Sequence, residues 1–203
     1  MSNDASLPFL AGERLNLSSA EVLLIDSQPE SLEVLTQMFT GFGVHTPHLA
    51  TSMEEAQAMV GAHTFSLIIV DSVLAGGDGF GFVKWLRRSA TAPNRFASVV
   101  LLMGHTRSSE IFKGRDCGAN FVVRKPAPPL VMMQRILWLS RDKREFVEAP
   151  GYCGPDRRFQ TLGPPDGVQG RRKDDLSAVL GEAKEPNLDQ SDIDALFQPR
   201  RAI

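Results

Sequence analysis

Residues 66–80 read SLIIVDSVLAGGDGF. Leu67, Ile68, Ile69 and Val70 form an unbroken apolar run, Asp71 ends it, and a small-residue loop leads into the amphipathic stretch GFGFVKWLRRS (79–89). A short β-branched run with no polar alternation is a strand buried on both faces, as in a parallel sheet. An acid at the carboxyl end of such a strand stands where open α/β sheets do their chemistry.

The same pattern repeats on either side. VLLI (22–25) runs into Asp26, and PESLEVLTQMFTGFG (29–43) follows with apolar residues Leu32, Leu35, Met38 and Phe39 at helical spacing. VHTPHLA (44–50) is a weak second strand. SMEEAQAMVGA (52–62) opens on Ser52 with Glu55 three residues on, a capping-box pattern. SVVLLM (98–103) and NFVV (120–123) are strands; RSSEIFKGRDCG (107–118) and PPLVMMQRILWLSR (128–141) are helices, the second with proline in its first turn. Five strands alternating with five helices predict an α/β doubly wound parallel sheet over 21–141. The strand ends are Asp26, Asp71, Met103 and Lys125. Two acids in one crevice repel, which favours a bound divalent cation or a raised pKa. A lysine facing them balances the charge and can grip a phosphoryl oxygen.

Composition narrows the function. The chain has 203 residues, 42% hydrophobic, with a net charge of −2. That supports a core and gives no field toward nucleic acid; the tail also lacks a helix-turn-helix and a basic face. No apolar run reaches the roughly 18 residues of a membrane helix, and the N-terminus has no long apolar segment of a secretory signal. The cysteines, Cys117 and Cys153, have no metal spacing and suit free thiols in a reducing cytoplasm. A P-loop, a dinucleotide fingerprint and a G-x-S-x-G elbow are missing. Position 73 is valine, where a haloacid-dehalogenase-type phosphatase needs a second acid. His105 falls near the strand ends, in the place of a modulator of the crevice.

VLLIDSQPE, LIIVDSVLAGGDGF, GAN and RKP together resemble the receiver domains of two-component response regulators, and the most specific part is Asp71 with Asp78-Gly79 plus Lys125-Pro126. The resemblance covers about 21–141. It implies a flavodoxin-like (βα)5 fold, Asp71 as phospho-acceptor served by a histidine kinase or a small donor, Lys125 as a phosphate contact, and Mg²⁺ held by Asp26, Asp71 and the Val73 carbonyl. The sequence departs from the family's pattern at four positions. The offsets of Pro29, Leu32 and Leu35 put Ser27 where the family has its second acid, which weakens Mg²⁺. Met103 stands in place of the hydroxyl residue at the end of the fourth strand, with Thr106 three residues later. Val122 takes the aromatic switch position, with Phe121 beside it, and Ala75 replaces a common proline.

Outside this region, 1–20 is an N-terminal extension and 142–187 a Pro/Gly-rich linker expected to be largely disordered. Nine of the 21 residues in 150–170 are proline or glycine. YCGPDRRF (152–159) is similar to a segment that follows some stand-alone receivers. The end, 188–203, contains LDQSDIDALF (188–197), where Ile193, Leu196 and Phe197 share one helical stripe and Ser191 can cap it. This partner-binding stretch, with Leu188, resembles the N-terminal peptide of the flagellar motor switch protein. A receiver-type or flagellar/chemotaxis protein is the implied partner, or the chain's own domain. The expectation is a cytoplasmic receiver-type signalling protein that is not an enzyme on outside substrates and binds neither nucleic acid nor membrane. The alternative is a pseudo-receiver scaffold that is never phosphorylated.

Overall fold

The computed structural model describes residues 15–142, 144–156 and 188–197, the side chains of 195–197 excepted. Five parallel strands form the sheet: β1 (Val22–Ile25), β2 (His48–Ala50), β3 (Leu67–Asp71), β6 (Ser98–Met103) and β7 (Phe121–Arg124). Their order is β2-β1-β3-β6-β7. Two-residue strands β4 (Val73–Leu74) and β5 (Gly77–Asp78) pair antiparallel in the loop after β3. The helices between the sheet strands are α1 (Pro29–Gly41), α2 (Met53–Ala62), α3 (Gly79–Ser89), α4 (Ser108–Asp116) and α5 (Pro129–Ser140). Every residue of β1 and β3 is buried, as the unbroken apolar runs require. The order reverses at β1 and β3, which makes the crevice between their carboxyl ends the topological switch point.

Local chemistry sets the register of that crevice. Ile25 pairs with Val70, Asp71 with Leu102 and Met103 with Arg124, so Asp26, Asp71, Met103 and Lys125 stand at one edge of the sheet. Asp78 caps α3 by accepting the Gly81 N–H. A Cβ on Gly79 would lie 2.0 Å from the Asp71 carbonyl oxygen. Only glycine lets α3 start against the end of β3, which gives the Asp78-Gly79 pair its physical reason. Ser52 caps α2 by accepting the Glu55 N–H at 3.2 Å. Glu55 reaches back chiefly to the N–H and hydroxyl of Thr51, with the Ser52 N–H also acting on its carboxylate.

Two findings depart from the sequence expectation. Within 142–187, expected to be largely disordered linker, β8 (Phe146–Ala149) and β9 (Tyr152–Pro155) form an antiparallel hairpin about Pro150-Gly151. Gly151 has φ +90, the left-handed geometry that suits glycine in a tight turn. Arg87, with its side chain fully buried, organises this end of the molecule. It donates to the carbonyls of Gly118 (3.0 Å), Arg95 and Ala97 (2.8 Å each) and to Asn120 Oδ1 (2.9 Å). Its guanidinium lies 4.9 Å from the Phe146 ring centre, and the Cys153 thiol donates to its carbonyl at 3.1 Å. The described part of YCGPDRRF, 152–156, therefore belongs to the folded domain; 157–187 and 198–203 lie outside the described residues.

The second departure is at the cap of α6 (Gln190–Phe197). Asp189, not Ser191, does the capping: its carboxylate accepts from the Asp192 N–H at 2.9 Å and from the Ser191 hydroxyl at 2.7 Å. The helix begins before Ser191, which places that serine inside the first turn. The N-terminal extension is also partly ordered, with Leu15 and Leu17 packed on the core and the Leu17 N–H bonded to the Phe42 carbonyl; residues 1–14 lie outside the described set.

Candidate functional site

Asp26 leaves β1 and is 1% exposed. One carboxylate oxygen accepts the Gln28 N–H at 2.9 Å; the other accepts the Ser31 hydroxyl at 2.5 Å and the Lys125 ammonium at 2.7 Å. Burial opposes its charge, but the bonds from Lys125, Ser31 and Gln28 outweigh it and hold the carboxyl below its ordinary value. Asp71 ends β3. Its Oδ1 accepts the Val73 N–H at 2.7 Å, and its Oδ2 forms an ion pair with the same Lys125 ammonium. Burial penalises that ammonium as well, yet the two carboxylates hold its pKa above the ordinary value. Lys125 thus bridges both acids, with Ser31 3.4 Å away.

These groups open into a cleft of about 500 Å³, whose wall includes Ser27, Val73, Phe80, Met103, His105 and Arg107. The Ser27 hydroxyl donates to the Val73 carbonyl at 3.4 Å. That carbonyl, the Asp26 and Asp71 carboxylates and a neutral hydroxyl are all oxygen donors, the kind a hard divalent cation takes. They fit a magnesium site with one carboxylate fewer than it would have with an acid at position 27. Among the described residues no cluster of three or more His, Cys, Asp or Glu side chains could hold a metal.

The structure brings Asp26, Ser27, Asp71, Val73, Met103 and Lys125 to one place and puts His105 on the rim. Val122 is fully buried, against Gly114 of α4, where an added Cβ would come within 2.8 Å of it. Phe121 is buried with its ring centre 5.1 Å from that of Trp138. Ser31 and the Gln28 N–H were not visible as site groups. The signal was available, because a serine in the first turn of a helix that follows a strand-end acid can reach back to it.

The tail contacts lie beside the cleft. Leu188 and Gln190 bond to the β6–α4 loop and to edge strand β7. The Leu188 N–H donates to the Thr106 carbonyl at 2.7 Å, and the Thr106 hydroxyl donates to the Leu188 carbonyl at 2.5 Å. The Gln190 side-chain amide accepts the Arg124 N–H at 2.7 Å and donates to the Val122 carbonyl at 3.3 Å. It engages the outward peptide groups of β7 much as a neighbouring strand would. Ile193 is fully buried, and Asp194 pairs with the buried Arg135 of α5. The side chains of Leu196 and Phe197, expected as anchors, lie outside the described residues.

The response regulator receiver domain family matches residues 22–137. Among curated proteins, the chain is 29% identical over 130 residues to the response regulator GtcR of Aneurinibacillus migulanus, which covers 64% of this chain and 51% of that one. It is 26% identical over 139 residues to the transcriptional regulatory protein GltR of Pseudomonas aeruginosa, covering 68% and 55%. The chain spans about half the length of these curated relatives. Among solved structures, a two-component response regulator from Clostridium difficile superposes with a TM-score of 0.56 at 19% identity, over 62% of this chain and 99% of that one. The chemotaxis protein CheY4 of Vibrio cholerae gives 0.54 at 24% identity, over 59% and 97%. Both likenesses show the five-stranded receiver fold. With the strand-end acids, the lysine and the family match in agreement, the chain belongs to the response regulator receiver domain family.

Proposed function

We propose that this chain is a signalling receiver of the two-component or chemotaxis type that accepts phosphate at Asp71 and acts through protein contacts. The observation that carries the reading is the convergence of Asp26, Asp71 and Lys125 at the switch point, with one ammonium serving both carboxylates. Asp71 is the acceptor because the Val73 N–H orients one oxygen and the Lys125 ammonium sits on the other. Lys125 would follow the phosphoryl oxygens and offset their charge. Mg²⁺, when bound by Asp26, Asp71 and the Val73 carbonyl, would neutralise the incoming phosphate, and Ser27 makes that binding weak. A histidine kinase is the natural phosphate source, and the setting is the cytoplasm. Among the described residues no helix is long and apolar enough to cross a membrane. The chain turns over no outside substrate and reads no nucleic acid.

The partner is a receiver-type or flagellar/chemotaxis protein that presents or receives a helix like 188–197. The docking of α6 on this chain's own β7 supports the view that the segment is built for a receiver surface. The second reading, a scaffold that is never phosphorylated, is favoured by Ser27 and by Met103 at the cleft wall. Incubation with Mg²⁺ and acetyl phosphate or phosphoramidate, followed by intact mass, separates the two. The expected result is a partial shift of one phosphoryl group that Asp71→Asn abolishes. No shift at any donor concentration establishes the scaffold, and a shift that survives Asp71→Asn overturns the assignment of the acceptor.

A further inference from the structure

Ser31 is the third residue of α1, a helix that opens on Pro29. Helical side chains lean toward the N-terminus, so a short hydroxyl in this first turn reaches back past Gln28 to Asp26. It donates to Asp26 Oδ2 at 2.5 Å and accepts from Lys125 Nζ at 3.4 Å. Lys125 Nζ also donates to Asp26 Oδ2 at 2.7 Å and to Asp71 Oδ2. An ammonium has three N–H donors. Each of the three therefore has an acceptor: two carboxylates and one hydroxyl. The hydroxyl is the neutral acceptor and stands farther off than the Asp26 oxygen, which makes it the weaker contact. On the other side of the triangle, Asp26 Oδ1 accepts from the Gln28 N–H, and Oδ2 accepts from both Ser31 and Lys125.

We infer that Ser31 is a positioning residue, which acts through Asp26 to keep the Lys125 ammonium shared between the two acids and within reach of Asp71. Asp26 is 1% exposed, so its charge is met by the donors that touch it rather than by solvent. With the Ser31 hydroxyl on Oδ2, a neutral donor meets part of that charge, and the ammonium can serve Asp71 as well. Without the hydroxyl, Lys125 is the one donor left on Oδ2 among the described residues. That pair tightens and draws the ammonium away from Asp71, while one N–H loses its acceptor. Ser31 also keeps that N–H on a weak contact, the first of the three to be released when a phosphoryl oxygen arrives on Asp71. This last role rests on the reading of Asp71 as phospho-acceptor; the division of the ammonium does not.

The test compares the full chain with Ser31→Thr and Ser31→Val, two side chains of one shape of which only the first keeps the hydroxyl. The probe is acetyl phosphate with Mg²⁺, and uptake of one phosphoryl group is followed by intact mass. At saturating donor and Mg²⁺ the rate is expected to fall about fivefold to tenfold in Ser31→Val and to stay within about twofold of the parent in Ser31→Thr. The half-saturating concentrations should change less than the rate, because the lost interaction belongs to the transfer and not to donor binding. Rates that fall alike in the two variants show a packing role and overturn the inference, as does a parental rate in Ser31→Val. If no chain takes up phosphate, the acceptor reading of Asp71 fails instead. The division of the ammonium is then read without donor, from the carboxyl carbon signal of Asp71 by NMR. A shift of that signal in Ser31→Val that is absent in Ser31→Thr supports the inference, since Ser31 would be acting on Asp71 only through Lys125. An Asp71 signal that is the same in both variants overturns it.

Discussion

One ammonium shared by two carboxylates defines the chemistry of the crevice at the scale of single residues. A magnesium ion must compete with Lys125 for the oxygens of Asp26 and Asp71, and Ser27 brings only a neutral hydroxyl to the contest. Ser27→Asp adds a third carboxylate beside the Val73 carbonyl. Mg²⁺ affinity measured by titration should rise by about tenfold or more, on the order of 1.4 kcal/mol. The same variant should be less stable without metal, because the new charge repels two existing ones. Unchanged affinity would mean that position 27 does not face the ion. Asp26, Ser27, Asp71 and Lys125 were legible in the sequence because each ends or follows an apolar run, and strand ends are countable. That one lysine faces both acids was legible in the same way; its direct contact with both carboxylates was not, because that depends on distances across the sheet, from β7 over β6 and β3 to β1.

At the scale of elements, the sheet strands and their helices were legible from unbroken apolar runs and 3.6-residue spacing. The hairpin was not. Its sequence, FVEAPGYCGP (146–155), is rich in the proline and glycine that mark linkers, and its order comes from long-range contacts with Arg87, a buried charge held by neutral oxygen acceptors. Arg87 lies in the amphipathic stretch 79–89, where the sequence does not set it apart from Arg88. In the fold four oxygens surround it, and burial pushes its guanidinium down to about 10. The hairpin lies so close to Gly118 (φ +100) that a Cβ there would come 2.3 Å from the Cys153 carbonyl oxygen. Gly118→Ala should therefore dislodge the hairpin and cost about 2–4 kcal/mol in urea unfolding; parental stability would mean the hairpin is dispensable. The cap of α6 supplies a pH dependence. The N–H of Asp192 holds the Asp189 carboxyl below its free value of 3.8. A depressed carboxyl stabilises the docked helix above that value and loses the contribution as pH falls through the folded one. Exchange protection of 190–194 should drop as pH falls below about 4, and Asp189→Asn should flatten part of that drop.

At the scale of the whole molecule, the chain leaves the sheet through the hairpin and returns at 188 to cover β7. A tethered helix meets its site at an effective concentration on the order of millimolar. With intrinsic affinity near micromolar, docking adds up to about 4 kcal/mol to the folded state. Deleting 188–203 should lower the urea midpoint by a corresponding amount, and adding the free peptide should restore part of it in proportion to concentration. A truncated chain as stable as the parent would show that α6 contributes no net stability.

Gln190 also has a consequence for solubility. With its amide withdrawn, the Arg124 N–H and the Val122 carbonyl face outward at the last strand of the sheet, in a run of valine and phenylalanine that other chains can add to. Every opening of the tail is then also an exposure to cross-chain strand addition. The useful concentration of the protein is bounded by how briefly that edge stays bare, and the tail acts as the domain's guard against aggregation.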